Sequence, residues 1–381
     1  MQRPLRILFA TGHPHLPQIA GGLQASTDET MKGLIARGHD VRLLCGLTGA
    51  GSLGLRHRIA LKLSRGATVS DGSAGYATFR AWHPPHPDVA SAVLSAFPAD
   101  VLLAQGGNTA ELVATFGALG VPGVIYFRNV EFDDLRPLLP SLDRHTAYIS
   151  NSHFTRSRAE RDLGVSSTVI YPLIDADRYR VTPSGEKVVF INPHPSKGVS
   201  VACDLATLCP DIPFLFVEAW TLDGPEYDAI RARIRALPNV TLLPRTSDMA
   251  AIYAQARLVL VPSQWEEAFG RVVAEAQISG IPALASRIGG LPEAIGSGGI
   301  LLPPDAPAHH WAAALRQIWD DPAEHAHLSQ AATHHAARTM DKDRQLDLLE
   351  HLLRDRLQAD LRQKGVLRPA AQGPSPSAWA T

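Results

Sequence analysis

Glu267 and Glu275 stand eight residues apart in the stretch "PSQWEEAFGRVVAEAQISGIPALASRIGGLPEAIGSGGILL". Paired carboxylates often do acid–base work, one giving a proton and the other taking it. The elements around these two argue otherwise. "RLVLVPS" reads as a strand that ends in a loop, and Glu267 lies in that loop. Glu275 falls about two turns into the helix that follows, ~9–12 Å along the axis. A pair acting on one sugar carbon with retention needs ~5 Å. The spacing suits a grip on two ends of one extended ligand. Between the carboxylates, Ala268, Phe269 and Gly270 open the helix, where free N–H groups and the dipole favour an anion. A ligand with hydroxyls at both ends and an anion in its middle fits that order, and a nucleotide-diphosphate sugar is one. The bland alternative is a surface helix with two solvated glutamates.

The elements that must position these residues form two series. In the first, "LRILFAT", "HDVRLLCG", "DVLLAQ", "GVIYFR", "TAYISNS" and "STVIYP" read as buried strands, separated by polar or helical stretches. In the second, "KVVFINP", "PFLFVEA", "NVTLLP", "RLVLVPS" and "PALASR" alternate with helical segments. This pattern predicts an α/β chain of two doubly wound, Rossmann-type domains facing a central cleft. The expected domains are 1–176 and 177–340, with a linker in the charged stretch Asp175–Lys187. A leucine-patterned helix over 341–364 and a Pro/Ser/Ala-rich tail over 365–381, expected to be disordered, follow.

Composition narrows the class. The 381 residues carry 36 Lys plus Arg against 37 Asp plus Glu, which excludes a bulk nucleic-acid binder. "ILFA" near the N-terminus is too short for a signal peptide or a membrane span. Cys45, Cys203 and Cys209 have no metal-type spacing and read as reduced thiols of a cytoplasmic protein. The segment Gly54–Ala67 interleaves Arg56, His57, Arg58, Lys62 and Arg65 with Leu55, Ile59, Leu61 and Leu63. It is either an ordinary helix packed on its domain or a peripheral contact with the inner membrane face.

The glutamate signature, the Gly-Ile-Pro turn and the "GGLPE" loop together resemble the donor-binding segment of glycosyltransferase family 4, whose members have the retaining GT-B fold. The likeness extends from about Leu5 to Asp305 through "GGLQASTDETMKGLIARGHDV", "ISNSHFTRSR", "YPLIDADRY", "SKGVS" and "NVTLLP". It implies a retaining, metal-independent transfer from a nucleotide-diphosphate sugar, bound as co-substrate with no cofactor, to a hydroxyl acceptor. It also implies a last helix that returns to the N-terminal domain.

The resemblance implies roles for single residues. Lys197 would hold the diphosphate and stabilise the leaving phosphate, and Glu267 would meet the sugar with the backbone of Ala268, Phe269 and Gly270. Glu275 would take the ribose hydroxyls, and Gly21 and Gly22 would lie close to the donor. Two departures stand out. Asn192 occupies a position where the family carries an arginine, with His194, Arg128 and Arg271 as alternative cations. "GVIYFRNVEF" lacks the family's histidine and offers Arg128, Asn129 and Glu131 instead, with His13 and His153 as further residues of the acceptor or sugar side. Other readings are an epimerase or phosphorylase on the same fold, or a nucleotide-sugar binder without turnover. Nothing in the sequence fixes the base, the hexose, the acceptor or the oligomeric state.

Overall fold

The computed structural model describes residues 3–220 and 224–366. The expectation of a disordered tail therefore falls outside the described residues from 367 onward. Two sheets are present. The first runs in the spatial order Val69–Asp71, Thr78–Ala81, Asp40–Gly46, Arg6–Pro14, Val101–Gln105, Gly123–Phe127, Ala147–Ser150, Thr168–Val169. The second runs Val240–Leu243, Phe214–Val217, Lys187–Ile191, Ala256–Val261, Ala283–Ser286, Gly299–Leu302. Every pairing is parallel except that of Val69–Asp71 with Thr78–Ala81.

Burial on both faces explains the unbroken apolar runs. Along the first strand, Leu8 and Ala10 enter one core cluster and Ile7 and Phe9 the other, the period-two alternation of a strand covered on both sides. The strands Val69–Asp71 and Thr78–Ala81 are absent from the sequence reading. Their signal is broken by Arg80, a charge in a run of four buried residues. Arg80 is fully buried against Asp71 at 2.7 Å, and it donates to the carbonyl of Leu16 at 2.6 Å. It thereby pins the loop that leads from the first strand to Gly21 and Gly22.

The segment Asp175–Lys187 is tied down along its first part. It begins with the helical turn Ala176–Tyr179, and Tyr179 is buried among residues of the second domain. The helix Lys342–Gln363 crosses back to the first sheet. Its Leu346, Leu349 and Leu353 join Ile7, Phe9 and Leu103 in one cluster, and Arg356 reaches Asp143 at 2.6 Å. The three cysteines are free and buried. Among the described residues, no helix is long and apolar enough to cross a membrane.

Leu349 is wholly buried beneath the first sheet. Leu349→Ala is expected to cost about 2–5 kcal/mol of stability, read as a shift of the denaturant midpoint at unchanged slope.

Candidate functional site

The loop Glu267–Gly270 lies between the two sheets and is held from several sides. Beneath it, Gly289 and Gly290 pack backbone on backbone. A Cβ at Gly289 would meet the carbonyl oxygen of Glu267 at 2.4 Å, and one at Gly290 the carbonyl oxygen of Ala268 at 2.6 Å. The amide of Gly290 donates to that Glu267 carbonyl at 2.6 Å. This is the physical reason for the Gly-Gly pair in "IGGLPE": no other residue fits there. From the N-terminal side, the hydroxyls of Ser152 and Thr155 donate to the carbonyl of Ala268 at 2.6 and 3.1 Å. Among the described residues, no acceptor takes the amides of Ala268, Phe269 or Gly270.

Lys197 and Glu267 meet directly, Nζ to Oε1 at 2.6 Å, and Ser263 donates to the same oxygen at 2.7 Å. Among the described residues, nothing engages Oε2 of Glu267. Lys197 ends a short 3-10 turn, Pro195–Lys197, rather than opening the helix, which runs Val199–Leu208. The turn needs Gly198, with φ +79°, because a Cβ there would lie 1.9 Å from the carbonyl oxygen of Pro262. Lys197 and Glu267 line a cavity of about 210 Å³ together with Gly21, Gly22, Asn192 and Trp220. Neither Gly21 nor Gly22 has a positive φ, so their backbone shape does not require glycine. Their place on the cavity wall makes the missing side chain the relevant property.

Asn192 also has a local cause. Its φ is +65°, and the left-handed region disfavours a long side chain and favours Asn. His194 does not supply the missing cation. Burial and then the Lys197 ammonium lower its pKa, so at neutral pH the imidazole is uncharged. Trp220, unmarked in the sequence reading, stands beside this cavity, 5.0 Å from His194 and 5.5 Å from Lys197.

Glu275 does not line the cavity shared by Lys197 and Glu267. It is buried, with Tyr253 donating at 2.7 Å and Arg271 at 2.5 Å to its two oxygens. The cause is Arg271, one turn earlier on the helix Arg271–Gln277, whose side chain folds back over its i+4 neighbour. Burial raises the pKa of Glu275, against the pull of Arg271 and Tyr253. A carboxylate has about four acceptor positions, so two remain for hydroxyls. Arg271 also donates to Glu29 of the N-terminal domain at 2.8 Å and to the carbonyl of Leu173 at 3.1 Å. Glu29 in turn accepts from Tyr179 at 2.8 Å. Burial lowers the pKa of Arg271, but Glu275 and Glu29 outweigh it and hold the guanidinium above its ordinary range. This ion triad couples the two domains.

The remaining residues divide between two further cavities. Arg128, Asn129 and Glu131 line one of about 190 Å³ with Glu267 and Ala268–Gly270. His13 lines another of about 600 Å³ with Asn108, Asp133 and Asp134, and Asn129 and Glu131 border both. His153 lines none of these three cavities. Its amide, opening the helix His153–Leu163, donates to the carboxylate of Glu293 at 2.9 Å, which locks the "GGLPE" loop to the first domain. Asn108, Asp133, Asp134 and Ser263 carry no spacing signal that would have marked them.

Removal of Arg271 leaves Glu275 buried without its cation and Glu29 with only the partly exposed Arg178, 3.3 Å away. Arg271→Ala is expected to cost about 3–5 kcal/mol, and Glu29→Gln in the same background to recover part of it. Denaturation of the two single variants and the double variant tests the coupling.

Comparison with known proteins agrees with this architecture. Residues 20–178 match the model of glycosyltransferase family 4, and residues 208–321 that of glycosyl transferases group 1. A D-inositol 3-phosphate glycosyltransferase of Corynebacterium kroppenstedtii is 44% identical over 100 residues, which are 26% of this chain and 22% of that protein. One from Pseudarthrobacter chlorophenolicus is 30% identical over 238 residues, 59% of this chain and 48% of that protein. The chain thus spans less than half the length of these curated relatives. Among solved structures, the Anabaena protein HepE in complex with UDP and glucose superposes with a TM-score of 0.70 at 20% identity, over 92% of this chain and 99% of that one. The sucrose-phosphate synthase of Thermosynechococcus elongatus gives 0.73 at 18%, over 93% and 100%. In sequence the first domain resembles glycosyltransferase family 4 and the second glycosyl transferases group 1, and along nearly its whole length the chain has the GT-B fold.

Proposed function

We propose that the chain moves a sugar from a nucleotide-diphosphate sugar to a hydroxyl acceptor, with retention of configuration and without a metal. The observation that carries this reading is the Lys197–Glu267 pair at the mouth of the donor cavity. The lysine cation is paired with the first residue of a loop whose next three amides have no acceptor among the described residues, and the glutamate keeps one oxygen for a hydroxyl. An arriving diphosphate draws Lys197 from Glu267. As the glycosidic bond breaks, charge grows on the departing phosphate, and a cation there favours the transition state over the ground state. In front-face transfer the leaving phosphate takes the acceptor proton, so no separate base is needed and positioning does most of the work. Glu267 meets the sugar, and the free acceptor positions of Glu275 take ribose hydroxyls once Arg271 shifts. Trp220 offers a face for the base.

HepE has been solved with UDP and with UDP-glucose, whereas starch synthase IV of Arabidopsis thaliana has been solved with ADP and acarbose. Uridine and adenosine donors are therefore the first to try, with inositol 3-phosphate in the acceptor panel because of the relatives' name. Lys197→Ala is expected to lower kcat about 10²–10³-fold while changing donor affinity far less. Turnover is expected to survive EDTA, and the product to keep the donor's anomeric configuration by NMR. Isomerised nucleotide sugar without an acceptor would replace this reading by an epimerase.

We also propose cytoplasmic action with peripheral membrane contact. The helix Gly51–Ser64 buries Gly54, His57 and Leu61 but exposes Leu55, Ile59 and Leu63 beside Arg56, Arg58 and Lys62. Flotation with anionic but not neutral liposomes, weakened in Ile59→Asp, is the expected result.

A further inference from the structure

Arg128 closes the strand Gly123–Phe127 and enters the cleft from the N-terminal side. Its guanidinium stacks on the Tyr126 ring at 3.6 Å. Nε donates to Gln105 at 3.0 Å and Nη1 to Ser26 at 2.9 Å. Both partners are neutral, and Nη2 is buried with no partner among the described residues. The other cations around the donor loop are spoken for: Lys197 by Glu267, Arg271 by Glu29 and Glu275, Arg158 by Glu266. Glu131, exposed on the rim of the same cavity, makes no ion pair with Arg128. Burial works most against the charge, Tyr126 opposes that effect, and the nearby Arg271 adds to it. A guanidinium does not release its proton in water, so the site holds a fixed positive charge. A cation with a buried Nη2 and no counter-ion among the described residues is costly, and the surroundings keep it in one orientation.

We infer that Arg128 is an anion receptor, which meets a carboxylate or phosphate carried by the transferred sugar or by the acceptor. This rests on the transferase reading and adds to it a substrate class: one of the two partners in the reaction is acidic. The geometry favours an anion with paired oxygens. Stacking fixes the plane of the guanidinium, and a planar fork held in place suits two-point contact. Arg128 shares its cavity with Glu267 and Ala268–Gly270 on the opposite domain, so the anion binds where sugar and acceptor meet.

The test compares wild type with Arg128→Gln and Arg128→Lys by ligand-induced melting shifts and calorimetry. Probes come in charged and neutral pairs: UDP-glucuronate against UDP-glucose, and, with UDP present, inositol 3-phosphate against inositol. Wild type should prefer the acid in one pair, and Arg128→Gln should lose that preference by on the order of ten- to a hundredfold, with Arg128→Lys between them. Loss in the first pair assigns the anion to the sugar, loss in the second to the acceptor. A purely structural arginine would lower the melting temperature of the free protein and leave both preferences as they were, and that result overturns the inference. If wild type binds UDP-glucose but Arg128→Gln changes neither pair, only the inference fails. Failure of wild type to bind any nucleotide probe sinks the transferase reading and this inference with it.

Discussion

Backbone packed on backbone is the constraint on which the site depends. The loop Glu267–Gly270 keeps its shape because Gly289 and Gly290 let a second loop approach within contact distance of its peptide groups. Gly198 does the same beneath Lys197, against Pro262. With no side chains between them, these loops cannot slide without loss of hydrogen bonds that no other partner replaces. Lys197 and Glu267 therefore meet in one geometry before any ligand arrives, the kind of preorganisation that electrostatic catalysis needs.

The two domains are joined by polar contacts at the same place. Ser152 and Thr155 bind the carbonyl of Ala268, the amide of His153 between them binds Glu293, and Arg271 bridges Glu29 to Glu275. Interfaces of this polar kind open more readily than apolar ones. The arrangement ties the Glu267–Gly270 loop to the N-terminal domain, so a ligand that competes for Arg271 or Ala268 would act on the cleft as well as on its own site. The C-terminal helix adds an apolar strap from the second domain back to the first through Leu346, Leu349 and Leu353.

Much of this was legible in the sequence, for physical reasons. Parallel strands covered on both faces produce unbroken apolar runs, and glycines at close backbone approaches stand out because no substitute fits. The strand Thr78–Ala81 was hidden because Arg80 supplies a buried charge whose partner, Asp71, lies on a neighbouring strand. The position of Glu275 was hidden for a similar reason: spacing gives its distance along a helix, but not that Arg271 folds over it. Asn192 read as a defect at a cation position, whereas its left-handed backbone supplies a local reason for the residue. His153 read as a cleft side chain, whereas its amide does the work. Side-chain pairing across domains leaves no periodicity in a single sequence, so the cavity wall of Asn108, Asp133 and Asp134 had no signal to find.

The central claim is that a nucleoside diphosphate binds between Lys197 and the Glu267–Gly270 loop. Hydrogen–deuterium exchange of the full chain, with and without saturating UDP or ADP, tests it most directly. The account predicts slower exchange confined mainly to peptides spanning 190–199 and 264–275, with a smaller effect at 20–24. Binding that leaves those peptides unchanged, or protects a different surface, would contradict it.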